Sequence, residues 1–354
     1  MSVMPEIGKI SPKLFDELIS PHLGAKSDKI LVGPQNGVDV GIVEIEGKAL
    51  SFTTDPVFIV PEYGWDRAAW FAIHIIASDS VTSGLKPRFL SIDLNLPMEM
   101  TGEQLETMWK TMHQECVKLG ISVVTGHTGR YENCHYPMVG GATLVGVGNK
   151  DEYVTPRLAR AGDKIIITKG PAIEATGIFA AMFPKLIERE FGKDFNRKAQ
   201  QLFYKMSVVE DAMTAVRVGV RENGVTAMHD ATECGIWGGL YEIAQAANLG
   251  VRVEMESIVV EDCVPDICKY FGIDPYASIS EGTLIISCRE HKAGDILKAL
   301  HRKNIKASII GEFTEPGLGM VLVRGGKEEK LEHPIVDPFW RAFYQALEKY
   351  SGKL

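Results

Sequence analysis

Four aspartates stand beside small or hydroxyl residues at the ends of apolar, strand-like runs. They are Asp39 in GVDVG, Asp55 in SFTTDP, Asp79 in IIASDSVTSG and Asp230 in TAMHDATECG. Carboxylates placed where strands run out into glycine-containing turns can gather hard cations, because Mg²⁺ with a polyphosphate demands oxygen ligands and close backbone approach. A Mg-nucleotide enzyme is the chemistry such a set would serve. For any single one of them, Asp before Gly, Ser or Pro is also ordinary turn chemistry. Their number favours the metal.

The flanking residues extend that chemistry. In LVGPQNGVDVGIVEI, Gly33, Gly37 and Gly41 surround Asn36 and Asp39 in a loop leading into a strand. Glycine lets backbone N–H groups approach phosphate oxygens, while a carboxylate in the same loop can hold the bridging metal. The segment is neither a Walker A motif, since GK[ST] is missing, nor a dinucleotide-binding GxGxxG opening a helix. Thr53 and Thr54 precede Asp55, where hydroxyls beside a carboxylate can bind a phosphate oxygen or cap a turn. Asp79 interrupts an apolar helix face, where a buried charge needs a metal, a cation or water as partner. VTGHTGRYENCHYP reads as a loop after a strand and gathers His127, Thr128, Arg130, Cys134 and His135. There His127 could act as general acid or base and Arg130 could neutralise a transferring phosphoryl group, against the plainer reading of loop hydrogen bonding. Asp230 and Thr232 reach a glycine-rich helix start, suited to an anion or to capping.

At 354 residues the chain is long enough for two domains. Its 45% hydrophobic and 24% charged content is that of a soluble globular protein. A net charge of −8 with scattered Lys and Arg gives no footprint for nucleic acid. The longest apolar stretches, such as AAWFAIHIIA, fall short of the roughly 20 residues a membrane span needs. The start lacks the build of a signal peptide, so a cytoplasmic location is expected. Six cysteines make no disulfide scaffold; Cys263 and Cys268 are too far apart for a CxxC and read as structural thiols. Cys134, beside His135, is the one to test for reactivity.

Strands alternating with helices must position these residues. In the first half, Ala49 to Thr54, Phe89 to Leu94, Ser122 to Thr125 and Gly141 to Gly148 read as strands, and Asp66 to Ser83 and Gly102 to Leu119 as helices. Leu105, Met108, Trp109, Met112 and Cys116 form the core stripe of the second helix. A polar stretch at Asn149 to Gly162 marks a domain join. Beyond it, strands are expected at 163–170, 251–255, 282–287, 307–311 and 320–324, with helices at 184–191, 207–222, 236–248 and 292–304. Both halves are thus α+β, or mixed α/β.

At these residues the chain resembles the superfamily of aminoimidazole ribonucleotide synthetase, and is most similar to its hydrogenase-maturation branch, HypE. The likeness rests on LVGP, GVDVGIV for GDDAAV, FTTD, SDSVTSGLKP, VTGHT for VTGDT, HDATECG for DPTRGG, EGTLIIS and IGEFTEPG, in that order. It implies an N-terminal domain (1–155) whose strands join a second protomer's in a dimeric barrel, and a sandwich-like C-terminal domain (156–354), with ATP and Mg²⁺ in the cleft. A substrate oxygen would attack the γ-phosphate. Mapped by motif, Asp39, Asp55, Asp79 and Asp230 would hold Mg²⁺. Asn36, Gly37, Thr54, Asp55, Thr128, Arg130 and Thr232 would bind the nucleotide, with Asp79 and His127 catalytic. His127 replaces an acidic residue of the branch, Gly129 and Arg130 stand where its lysine follows, Val38 replaces an Asp and Glu233 an Arg. The branch ends in a tail with a carbamoyl-carrying cysteine, whereas this sequence ends EKYSGKL and its last cysteine is Cys288. The expectation is an enzyme acting on a separate small molecule or another protein's side chain. A small-metabolite kinase like the thiamine monophosphate branch, and a non-catalytic nucleotide-binding partner, are the alternatives. The C-terminal PFWRAFYQALEKY has helical spacing and is expected to dock on its own domain.

Overall fold

The computed structural model describes residues 10–350. The first nine residues of the start scanned for a leader, and the terminal SGKL, lie outside them.

Two sheets organise the chain. The first has the order β1 (Ile30–Val32), β2 (Gly41–Ile45), β3 (Lys48–Phe58), β6 (Met138–Asn149), β4 (Lys86–Leu96), β5 (Ser122–Arg130). It is antiparallel except between β4 and β5. Along β3 the side chains alternate, Ser51, Thr53 and Val57 inward and Phe52 and Thr54 outward, as a pleated strand requires. After the single turn α1 (Pro12–Leu14), helices α2 (Trp65–Thr82) and α3 (Gly102–Leu119) cover the inward face. Ala69, Ala72 and Ile76 of α2 and Met108, Met112 and Cys116 of α3 pack there on Ile92, Leu94 and Leu144. The ends of α3 follow from sequence. Thr101 and Gln104 form a reciprocal cap at its start, and Gly120 takes the left-handed conformation at its end. Trp109, assigned to the core stripe by spacing, is instead 39% exposed. It sits about 100° round the helix from Met108, off the i, i+4 row that points inward.

The outward face of this sheet carries exposed Phe52 and Phe89, and edge strand β5 is exposed along nearly its whole length, with Val124 at 59%. Within the described residues the sheet does not close. The segment VTGHTGR, expected as a loop, belongs to β5, because parallel pairing with β4 continues through Arg130.

The second sheet has the order β13 (Lys327–Lys330), β12 (Met320–Arg324), β9 (Gly250–Glu254), β11 (Ala307–Thr314), β7 (Lys164–Thr168), β10 (Leu284–Cys288), β8 (Val225–Asp230). In β7, Ile165 and Ile167 pack toward α8 (Gly235–Ala247), while Ile166 packs toward α7 (Val209–Val216) and α10 (Glu290–Arg302). Burial on both faces explains its uninterrupted isoleucine run. The helix expected over 207–222 ends at Val216, with Gly219 at φ +151° beyond it. Helices α4 (Ile173–Met182), α5 (Pro184–Phe191), α6 (Lys193–Gln201), α9 (Val264–Phe271) and α11 (Pro338–Tyr350) form a further layer. Its rings interlock, Phe179 stacking on Phe271 at 3.7 Å and meeting Phe339 at 5.1 Å. The C-terminal helix thus packs on its own chain.

Candidate functional site

The four aspartates converge where the two sheets meet. Asp39 comes from the loop between β1 and β2. That loop is pressed onto α8 so closely that a Cβ on Gly37, at φ +73°, would lie 2.7 Å from the Glu242 carbonyl oxygen. Asp55 is on β3, two residues along the same face from Thr53; Asp79 is in the last turn of α2; Asp230 ends β8. The Thr53 hydroxyl lies 3.2 Å from the Asp39 carbonyl and 3.4 Å from Asp79 Oδ2, bridging loop and helix.

Electrostatics mark this as a place for cations. Asp230 is fully buried, and neither of its carboxylate oxygens finds a hydrogen-bond partner among the described residues. Burial, then repulsion from Asp39, pushes its pKa up to about 6. Asp79 is held well above the usual carboxylate range by burial first and then by Asp230, Asp55 and Asp39. Buried carboxylates crowded in this way are costly unless a cation joins them. The donor set fits Mg²⁺: hard oxygen ligands from separate elements, two of them orphaned and buried. Asp39, His229 and Asp230 each offer an atom within 4.8 Å of the others. His229 nevertheless fits a different role. Its Nδ1 is 2.8 Å from Asp39 Oδ2 and its Nε2 2.5 Å from Glu242 Oε2. Burial opposes its charge, but Asp39 and Glu242 outweigh that and hold its pKa well above the usual histidine value. With both nitrogens engaged by carboxylates, His229 orients Asp39 rather than ligating metal.

The other expected residues divide. Asn36 and Gly37 lie in the Asp39 loop, which Arg157 also anchors by donating to Gln35 at 2.6 Å. Thr54 points to the opposite face of β3 from Asp55, 3.0 Å from the Thr143 hydroxyl, while Thr53 makes the contact with Asp79. Thr232 follows β8 and lines the cavity described below. Helix α8 starts from Cys234 at φ +62° with no side-chain cap, so Asp230 and Thr232 are not serving that purpose. His127, Thr128 and Arg130 lie on the far edge of the first sheet. Asp55 pairs with Ala142, Ala142 with Ile92, and Ile92 with Gly126. Three strand spacings, about 14 Å, separate them from Asp55 within one chain. His127 Nε2 is 2.6 Å from the Tyr131 hydroxyl, and Arg130 donates to the Met98 carbonyl.

Asp55 and Asp79 also line a cavity of about 520 Å³. Two residues there escaped the sequence reading, Glu174 at the start of α4 and Glu281 before β10. The Glu281 amide donates to Glu174 Oε2 at 3.0 Å. Burial, then Asp230 and Glu174, raises Glu281 well above its usual pKa, and burial pushes Glu174 up to about 8. His229 and Glu242 were missed likewise. The signal that found Asp79, an acid inside an apolar run, is present in PAIEATG and SISEGTLI. The buried cysteines fit structural thiols: burial pushes Cys268 and Cys288 up to about 12.

Comparison with known proteins places this geometry. The models for AIR synthase related proteins match residues 37–148 with the N-terminal domain and 160–324 with the C-terminal domain. A hydrogenase expression/formation protein of Methanocaldococcus jannaschii is 25% identical, covering 94% of this chain and 96% of that one. Carbamoyl dehydratase HypE of Escherichia coli is 25% identical over 94% of each chain. The crystal structure of E. coli HypE superposes with a TM-score of 0.68 at 24% identity, covering 83% of this chain and 88% of that one. A structure of hydrogenase maturation protein HypE in complex with ATP superposes at 0.61 and 22% identity, covering 94% and 97%. These superpositions establish the shared fold. Among the described residues, no helix is long and apolar enough to cross a membrane.

Proposed function

Because this chain belongs to the AIR synthase related proteins, on their hydrogenase-maturation branch, we propose that it is a Mg²⁺- and ATP-dependent enzyme that activates a substrate oxygen by phosphorylation. The observation that carries this reading is the convergence of Asp39, Asp55, Asp79 and Asp230 around two orphaned, buried carboxylate oxygens. Those four would hold Mg²⁺, which supplies charge neutralisation along the triphosphate. His229, clamped between Asp39 and Glu242, keeps Asp39 oriented; Thr53 ties that loop to Asp79. An acceptor in the cavity beside Asp55 and Asp79 would present its oxygen to the nucleotide that those residues hold. The new O–P bond forms as the bond to the β–γ bridging oxygen breaks, and that electron pair leaves with ADP. Displacement or elimination of the phosphorylated oxygen then releases phosphate.

The same reading covers the exposed sheet face. We take 1–155 and 156–354 as the two domains of a cytoplasmic homodimer in which the outward face and β5 meet a second copy's. Exposure of Phe52, Phe89 and Val124 supports this. So does the position of His127, Thr128 and Arg130 on edge strand β5, three strands from their own chain's Asp55, where a partner's nucleotide could meet them.

The test is Mg²⁺-dependent ATP hydrolysis with ADP and free phosphate counted separately, while carbamoylated and phosphorylated compounds are added in turn. Equal ADP and phosphate, stimulated by one compound, is expected. ADP with a second phosphorylated product in place of phosphate would instead establish a kinase.

A further inference from the structure

Helix α11 begins with a carboxylate that holds more than its own helix. Asp337 stands immediately before it and Pro338 opens it, at the position where proline's missing N–H costs nothing. Oδ1 of Asp337 accepts from the Phe339 amide at 2.8 Å, an ordinary N-cap bond. Oδ2 accepts from the Cys234 amide at 2.7 Å, 103 residues away in sequence. Asp337 is only 6% exposed, so both bonds are sheltered from water. Cys234 belongs to the turn that leaves β8 just after Asp230, and the same turn brings Thr232 and Glu233 to the cavity lining. That turn is not a relaxed one: Cys234 has φ +62° and Gly235 φ +58°, and a Cβ on Gly235 would lie 2.5 Å from the Ser278 carbonyl oxygen. A non-glycine residue in the left-handed region persists only where its surroundings hold it there, and the Asp337 carboxylate is the buried partner of this residue's amide. Helix α11 itself walls the cavity with Phe339, Trp340, Phe343, Tyr344 and Leu347. The match to the C-terminal domain of AIR synthase related proteins ends at residue 324, so helix and cap both lie beyond it.

We infer that Asp337 is a positioning residue for the cation site: through the Cys234 amide it sets the turn that carries Asp230 and Thr232, so the site is complete only while α11 stands against the cavity. This rests on the Mg-ATP reading above and names a control on that site. The chain leading to Asp337 is lightly held. Ile335 and Val336 are 84% and 73% exposed, and Ile335 takes φ +64°, which a β-branched residue adopts only at a cost. Withdrawal of the helix would relieve that strain, open the aromatic wall and free the Cys234 amide in one movement. Docking reverses all three. Coupling of this kind is reciprocal: if a docked α11 favours Mg-ATP, bound Mg-ATP favours a docked α11. Entry and release at the cavity are then tied to a loosened cation, and turnover to a closed wall.

The test uses the full chain with Asp337→Asn, Asp337→Ser and Asp337→Ala. Asn and Ser are both good helix caps but offer one acceptor oxygen where Asp offers two, and Ala offers none. In calorimetric titration with Mg-ATP, the Asn and Ser variants should each bind about tenfold more weakly, the size of one hydrogen bond to a charged acceptor. Their melting temperatures in EDTA should stay close to that of the wild type. The Ala variant should lose the same affinity and melt lower as well. In the wild type, saturating Mg-ATP should slow amide hydrogen exchange across α11 several-fold; in the Asn and Ser variants it should not. Wild-type affinity in those two variants would leave Asp337 a helix cap and overturn the inference. So would a fall in affinity that only tracks the melting temperature, or α11 exchange indifferent to Mg-ATP in a wild type that binds it; each leaves the ATP reading standing. A wild type that binds no Mg-ATP would instead remove the parent reading, and this inference with it.

Discussion

Asp79 sits at the centre of the site, in the last turn of α2 and within the field of Asp230, Asp55 and Asp39. Residues that gather like charge serve function at the expense of stability. Asp79→Asn should therefore do two opposite things. Mg²⁺-dependent ATP turnover should fall by orders of magnitude, because phosphoryl transfer depends on positioning and charge neutralisation. In EDTA, the melting temperature should rise by a few degrees, because one buried carboxylate no longer repels its neighbours. Turnover by phosphate release and calorimetry in chelator check the two. A variant with normal turnover would remove Asp79 from the site.

At the scale of elements, what matters is how loop, helix and strand are pinned together. Gly37 lets the Asp39 loop lie on α8, and both its φ of +73° and the 2.7 Å approach to Glu242 exclude a side chain. Gly37→Ala should cost about 1–3 kcal/mol of stability and weaken Mg²⁺ binding, read by urea denaturation and by Mg²⁺ titration of the melting temperature. A second pin joins α3 to α2. Glu115 faces His74 at 3.3 Å and Lys118 at 2.6 Å, while the other nitrogen of His74 meets Ser207 at 2.8 Å. The hydrogen bond to His74 is the chief cause holding the Glu115 pKa below its usual value. A carboxyl lowered in the folded state contributes stability above its unfolded pKa, near 4.3, and loses it as pH falls through the folded value. The stability gap between wild type and Glu115→Gln should thus be full at pH 6 and shrink as pH drops below about 4. Urea midpoints across that range measure it.

For the whole molecule, the separation of His127 and Arg130 from Asp55 along one sheet makes a prediction about assembly. If a partner's β5 completes each site, Asp79→Asn and Arg130→Ala homodimers should each be nearly inactive. Co-refolding the two should restore activity, because each mixed dimer contains one site with neither lesion. No restoration, with mixed dimers shown by mass spectrometry, would place Arg130 outside the site. Val124→Glu on the exposed edge should yield monomers by light scattering and lose turnover together with the dimer.

The four aspartates, as acids at the ends of apolar runs, and the run of elements around them were legible in the chain. Helix α3 and strand β12 lie at their expected bounds, Gly102–Leu119 and Met320–Arg324, because caps, glycines and periodic apolar residues are local signals. What periodicity could not reveal is direction. Whether Thr53 or Thr54 meets Asp79 depends on the pleat of β3, and Trp109 leaves the core because of where α3 sits on the sheet. VTGHTGR, rich in loop-forming residues, is drawn into strand β5 by pairing with a neighbour far away in sequence. His229, Glu242, Glu174 and Glu281 belong to the site through contacts between segments distant in the chain, and only tertiary packing brings those together. Local backbone preferences settled the elements and the kinds of residue at their ends. The burial that shifts their charges, and the cavity that opens beside them, arise only when the two sheets meet.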